Sequence, residues 1–153
     1  MVYCVYEAMI LSSLRLNTIT MTDMEKVVRK IYSALTSGGM DYIDKIFSED
    51  LRYIGCTNTV YSKDDFIKSL PSIKASFPDE KFTVDRVTIQ DNRAVVEYTW
   101  TATHTGEYQG FPATNNKIVM PVVDILEFES GKVKVFKDIF NWKIFEKGYN
   151  PEA

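Results

Sequence analysis

The sequence predicts an α+β domain: helices first, then a run of antiparallel strands. Two stretches before residue 76 space their apolar residues as one face of a helix. From Lys81 the period changes to two and stays so through four strand-length segments. No linker, repeat or low-complexity tract separates the two parts. Elements in that order argue for a curved sheet with its helices on the concave side.

Residues 1–20 show no clear period and precede a natural start at Met21. The domain is therefore expected to span 21–150, with 1–20 as an upstream extension. A mis-assigned start is one account of that extension; a short arm packing on a partner subunit is the rival. Thr22-Asp23-Met24-Glu25 reads as a capping box, whose hydroxyl and carboxylate would satisfy free N–H groups of a first helical turn. Met24, Val27, Val28, Ile31 and Leu35 then form one helical face. Gly38-Gly39 end it by supplying a left-handed turn. A short helix over 41–47 presents Ile43, Ile46 and Phe47, and 51–56 reads as a short strand. Residues 57–62 read as turn and connection.

Ser62-Lys63-Asp64-Asp65 is a second helix start, with Phe66, Ile67, Leu70 and Ile73 as its buried stripe. Pro71 is expected to kink or break that helix. Residues 81–90 form a strand, and Asp91-Asn92 turn it into the next. There Ala94, Val96, Tyr98, Trp100, Ala102 and His104 share one face. The last two strands are 117–128 and 132–140, followed by a short turn or helix over 141–148.

Composition narrows the function. The net charge is -3, from 18 basic and 21 acidic residues that are interspersed, so no electrostatic footprint for nucleic acid is present. Cys4 and Cys56 make no disulfide framework, and with one histidine they make no zinc site. A reducing cytoplasm fits. No apolar run nears the ~20 residues of a membrane span. Residues 1–14 lack Lys and Arg, unlike a signal peptide. Nine Phe, nine Tyr and two Trp suit either an aromatic core or an aromatic-lined cavity. No dinucleotide fingerprint, P-loop or nucleophile elbow occurs.

The candidate chemistry lies in the last hairpin. Glu129-Ser130-Gly131 suits a three-residue loop, which pairs Phe128 with Lys132 and Val122 with Asp138. Asp124 and Asp138 then become diagonal neighbours on one face, beside Val122, Leu126, Phe128, Phe136 and Phe140. A two-residue loop would send them to opposite faces. Carboxylates on an apolar wall are costly unless solvated, paired or functional. Burial and mutual repulsion would raise a pKa toward the range useful for proton transfer. The plain alternative is that one aspartate bonds a backbone N–H. His104 is either a satisfied core histidine or a pocket group that orients an aspartate. Gly106, Gly110 and Pro112 would shape a rim or lid after it. Tyr53 is a candidate pocket donor, and Tyr98 and Trp100 a flat ligand platform.

These residues, taken with several short motifs, resemble the SnoaL-like polyketide cyclases of the nuclear transport factor 2-like superfamily. The resemblance covers most of 22–148. It rests on Phe47-Ser48-Glu49-Asp50, Ser76-Phe77-Pro78-Asp79, His104-Thr105-Gly106-Glu107, Gly110-Phe111-Pro112-Ala113-Thr114, and Gly131-Lys132-Val133 before Lys137-Asp138. It implies a cone-shaped α+β barrel (nuclear transport factor 2-like, cystatin-like) with a deep apolar pocket, a homodimer, and no cofactor. Family cyclases close a ring by intramolecular aldol condensation, and their acid/base aspartate falls on Asp138. Their pocket histidine falls on Asp124, a departure that argues against the anthracycline-type reaction. The tail KDIFNWKIF also resembles limonene epoxide hydrolase, but its Arg-x-Asp positions fall on Trp100 and Ala102, so epoxide opening is not expected.

The leading expectation is a cofactor-independent acid/base enzyme, cyclase- or ketosteroid-isomerase-like, on a small apolar carbonyl compound. Asp138 would move the proton, Asp124 would hydrogen-bond the enolate and His104 would orient. Tyr53, Tyr98, Trp100, Val122 and Phe136 would bind the substrate. The rivals are a small-molecule-binding or dimerisation module, and a structural dimer whose own side chains fill the cavity.

Overall fold

The computed structural model describes residues 21–153. Both accounts of residues 1–20 lie outside the described residues, as does the Thr22 side chain. In chain order the elements are α1 (Met21–Ser37), α2 (Met40–Ile46), β1 (Phe47–Ile54), β2 (Val60–Tyr61), α3 (Lys63–Ser76), β3 (Lys81–Gln90), β4 (Arg93–Thr103), β5 (Lys117–Glu129), β6 (Lys132–Phe140) and α4 (Trp142–Tyr149). The strands form one curved sheet in the order β2-β1-β6-β5-β4-β3.

The helix-then-strand order is as the sequence predicts, with local differences. α1 already includes Met21, so Thr22 sits inside the helix rather than at its cap. Gly38 does take the left-handed conformation, at φ 76°, and ends α1. Phe47 opens β1 instead of closing α2, and is fully buried there. β1 arrives from a helix rather than a hairpin, and it pairs parallel with β6, so the sheet is mixed rather than wholly antiparallel. Residues 57–62, read as connection alone, include β2, which pairs with β1 through Tyr53–Tyr61.

α3 begins at the expected start, and does so with a capping box: the Ser62 hydroxyl accepts from the Asp65 N–H, and the Asp65 carboxylate accepts from the Ser62 N–H. Pro71 does not break it; the helix runs on to Ser76. Phe66 is buried and Ile67, Leu70 and Ile73 pack against the core, so burial of that stripe outweighs the one lost backbone bond. At its C-terminus the Ser76 carbonyl accepts the N–H groups of Thr105 and Gly106. A side chain at Gly106 would put its Cβ 2.6 Å from the Ala75 carbonyl oxygen, so only glycine permits this approach.

The core fills the concave side. Val28 and Ile31 of α1, Phe77, Ala94 and Val96 of the β3–β4 side, and Leu126 and Val133 of the last hairpin are all solvent-free. Each such aliphatic or aromatic side chain contributes about 1.5–3 kcal/mol by leaving water. α1 packs over β3, α3 over β1 and α4 over β5, so the helices line the sheet's inner face. Among the described residues no helix is long and apolar enough to cross a membrane.

Candidate functional site

The last hairpin sets the site, by a different turn from the one expected. Ser130 and Gly131 both have positive φ (49° and 79°), which makes a two-residue loop with Glu129 opposite Lys132. That loop alone would separate the two aspartates. A bulge corrects it: Phe128 pairs with Val133 but Glu127 with Val135, so Lys134 is an extra residue in β6. Beyond the bulge Asp124 lies directly opposite Asp138, not diagonal to it. The Lys134 ammonium is held outside by the carboxylates of Asp50 and Glu129.

Asp124 is solvent-free and Asp138 half-buried. Each is met by a tyrosine from a different element. Tyr32 of α1 donates to Asp124 Oδ2 at 2.6 Å, and Tyr53 of β1 donates to Asp138 Oδ2 at 2.5 Å. The Tyr98 hydroxyl of β4 stands 3.5 Å from Asp124 Oδ1. Asp138 Oδ1 is buried without a hydrogen-bond partner.

Burial pushes the Asp138 carboxyl up to about 6, against the Tyr53 bond and the Asp124 carboxyl, which both favour its charge. Asp124 is pushed well above the carboxylate range, first by burial and then by the Asp138 charge. The pair therefore holds one proton near neutrality: Asp124 keeps it and Asp138 ionises first. The same burial and carboxylates push all three tyrosine hydroxyls up, so they stay donors.

A cavity of about 1020 Å³ opens beside this pair. Tyr53, Tyr98, Trp100, Val122, Phe136 and Asp138 all line it. Its mouth is ringed by the exposed Gly38, Thr57, Lys68, Pro71 and Gln109. Asp124 is not on the wall; it stands behind Asp138. His104 is not on the wall either. It is solvent-free, and its Nδ1 accepts the Thr114 N–H at 3.2 Å. The Thr114 hydroxyl donates to the Gly148 carbonyl at 2.7 Å. Nδ1 is thus an acceptor, the ring proton sits on Nε2, and burial lowers the imidazole pKa. His104 ties the loop after β4 to α4. That loop sends Tyr108 and Gln109 to the cavity, whereas Gly106 and Pro112 stay off it.

Sequence reasoning missed Tyr32, Glu80 and Lys74. Tyr32 falls four residues after Val28 in the apolar stripe of α1, and its polar tip in that stripe was the available signal. Glu80 and Lys74 carry no local pattern, because only the fold brings Glu80 to Trp100 and Lys74 to Glu80.

The profile described as SnoaL-like polyketide cyclase matches residues 25–142. No functionally curated protein matches. AclR, a candidate hydroxylase from Streptomyces galilaeus, is 24% identical with TM-score 0.75, over 83% of this chain and 80% of its own. A candidate SnoaL-like polyketide cyclase from Jannaschia sp. CCS1 is 18% identical with TM-score 0.77, over 87% and 94%. IdmH, a candidate polyketide cyclase from Streptomyces antibioticus, is 16% identical with TM-score 0.72, over 81% and 96%. At these identities the structural likenesses speak for the fold.

Proposed function

The chain belongs to the SnoaL-like polyketide cyclase family, and from that premise we propose that it is a cofactor-independent acid/base enzyme acting on an apolar carbonyl compound. One observation carries the reading. Asp138 is a carboxylate on an apolar cavity wall, raised to about 6, with one buried oxygen unpartnered. Such a base is ionised at neutral pH yet basic enough to take a proton from carbon next to a carbonyl.

In this reading the Asp138 carboxylate takes the α-proton, and the electron pair moves onto the substrate oxygen as an enolate. Tyr98 lines the cavity and its contact with Asp124 is long, so its hydroxyl is the donor that turns to stabilise that oxygen, while the Tyr53 hydrogen bond stays on Asp138. The enolate carbon then takes that proton back from Asp138, or attacks a second carbonyl of the same molecule and closes a ring, the new alkoxide taking the proton from Asp138. Asp124 stands behind the wall, so we give it the part of a positioning residue: its retained proton favours the ionised form of Asp138. His104 holds the rim loop. Trp100, Val122 and Phe136 supply the apolar walls. We place the reaction in the cytoplasm.

The test needs no knowledge of the natural substrate. Methyl ketones such as 2-acetylnaphthalene exchange their α-protons in D2O, and NMR follows the loss of signal. The wild-type protein should accelerate exchange, and Asp138→Asn should lower that rate by about 10²–10⁴-fold. Exchange that survives Asp138→Asn sinks the role of this residue. Ketone binding without any exchange would favour a binding module of the same fold.

We further propose a homodimer through the outer face of the sheet, where Val119 and Ile139 stand exposed. Sedimentation should show a dimer that Ile139→Lys dissociates; a monomeric wild type removes the proposal.

A further inference from the structure

At the other end of the same cavity stands a second carboxylate that proton transfer at Asp138 does not use. Glu80 precedes β3, lines the cavity, and is 8% exposed. Its Oε2 accepts the Trp100 indole N–H at 3.2 Å, and its Oε1 lies 3.9 Å from the Lys74 ammonium. Lys74 also lines the cavity and donates to the Thr36 carbonyl, the end of α1, at 3.1 Å. Burial raises the Glu80 pKa, against the Trp100 bond and the Lys74 charge, with the neighbouring Asp79 adding to the rise.

A buried carboxylate costs free energy unless its oxygens are fully bonded. Glu80 holds one firm hydrogen bond and one ion pair too long to be a good one. It thus keeps acceptor capacity, and both it and its ammonium partner form part of the cavity wall. The chemistry that completes such a pair is a hydroxyl. Its hydrogen goes to Glu80, and its oxygen can accept from Lys74.

The sheet register gives the spacing. Asp138 is level with Asp124 and Val96, and Trp100 is two strands from β6 and four residues further along β4. At about 3.4 Å per residue and 4.8 Å per strand, those two backbone positions lie roughly 17 Å apart along the sheet. Both side chains belong to the cavity lining, so the two ends sit at different levels of one wall, a separation suited to a flat ligand of about two fused rings with a polar group at each end.

We propose that Glu80, with Lys74 and Trp100, is a recognition site for a ligand hydroxyl, distant from the carbonyl that reacts at Asp138. It rests on the reading of this cavity as a ligand site. It makes Glu80 and Lys74 determinants of specificity for flat compounds that carry a carbonyl at one end and a hydroxyl at the other.

A matched pair of probes tests it: 2-acetylnaphthalene and 6-hydroxy-2-acetylnaphthalene, with affinities measured by titration calorimetry. The wild-type protein should prefer the hydroxylated ketone by about ten-fold, the worth of a hydrogen bond to a charged group. Glu80→Gln should shrink the preference to under about three-fold while the plain ketone binds as before. Lys74→Met, at a more exposed position, should shrink it in the same direction. A purely structural Glu80 would change both affinities together and leave their ratio alone. Equal wild-type affinities, or a ratio that survives Glu80→Gln, overturn this inference and leave Asp138 untouched. If neither ketone binds, the cavity reading falls and this inference with it. Loss of α-proton exchange in Asp138→Asn with the hydroxyl preference intact separates the two sites.

Discussion

Asp79, just before the edge strand β3, and Asp138, on the interior strand β6, are aspartates held by short hydrogen bonds, yet their acidities move apart. Asp79 is exposed and takes two bonds from Thr103, from its N–H and its hydroxyl, both at 2.7 Å. Those bonds hold its carboxyl below the usual range. Asp138 takes the Tyr53 hydroxyl at 2.5 Å, and its carboxyl still rises to about 6. Hydrogen bonding pulls the same way in both. What differs is water: Asp138 faces an apolar cavity wall with a second carboxyl behind it, and loss of solvation outweighs the bond it accepts. Acidity in this fold is therefore set by which side of the wall a carboxylate occupies.

The largest expected break in that contrast comes from Asp124. Asp124→Ala removes a solvent-free side chain and orphans the buried Tyr32 hydroxyl, so it should cost about 2–4 kcal/mol, read as a lower urea midpoint. Asp124→Asn keeps the shape and the acceptor for Tyr32 but removes the titration. Asp124 and Asp138 both have folded pKa values above the unfolded value of about 3.9, so the folded state binds more protons than the unfolded state above that pH. Stability should fall as pH rises from about 4 through 6 and beyond. The Asn variant should gain on the wild type between pH 5 and pH 8. Equal pH slopes for the two proteins would mean that Asp124 is not a buried acid.

Tyr53→Phe acts on the other member of the pair. The lost hydrogen bond favoured the ionised form of Asp138, so its pKa should rise further. The acidic limb of α-proton exchange, expected near pH 6 in the wild type, should move up in pH by about one unit. Rate at high pH should change less than rate at pH 6. A limb that stays in place would show that Tyr53 does not govern Asp138.

How much of this was legible depended on whether the signal was local. The β4 face that alternates from Ala94 to Ala102 is buried as its period of two requires. The Ser62 helix start and the Gly38 stop are chemistry of a few neighbouring residues, and both are where the sequence put them. The aspartate pair was legible only by two misreadings that cancel. The turn is one residue shorter than expected, and the Lys134 bulge, which no local pattern marks, restores a common face. Pro71 misled because its cost is local while the burial that offsets it comes from the whole fold. The tyrosine partners Tyr32 and Tyr53 stand 92 and 85 residues from their aspartates, beyond the reach of any short pattern.

The smallest expected effect lies at the exposed end of the contrast. Asp79→Ala removes both Thr103 bonds, but water can replace them at an exposed site, so the loss should be only about 0.5–1 kcal/mol. Its sign with pH is opposite to that of the buried pair. A folded pKa below the unfolded one gives stability that is present above about pH 4 and lost as pH falls through the folded value. The wild type and Asp79→Ala should therefore differ at pH 7 and converge near pH 2, whereas the wild type and Asp124→Asn should diverge as pH rises above 4. Urea midpoints taken on the three proteins across that range separate the two behaviours. If Asp79→Ala diverged in the alkaline direction as well, burial would not be what distinguishes the two carboxylates, and the raised pKa assigned to the cavity wall would need another cause.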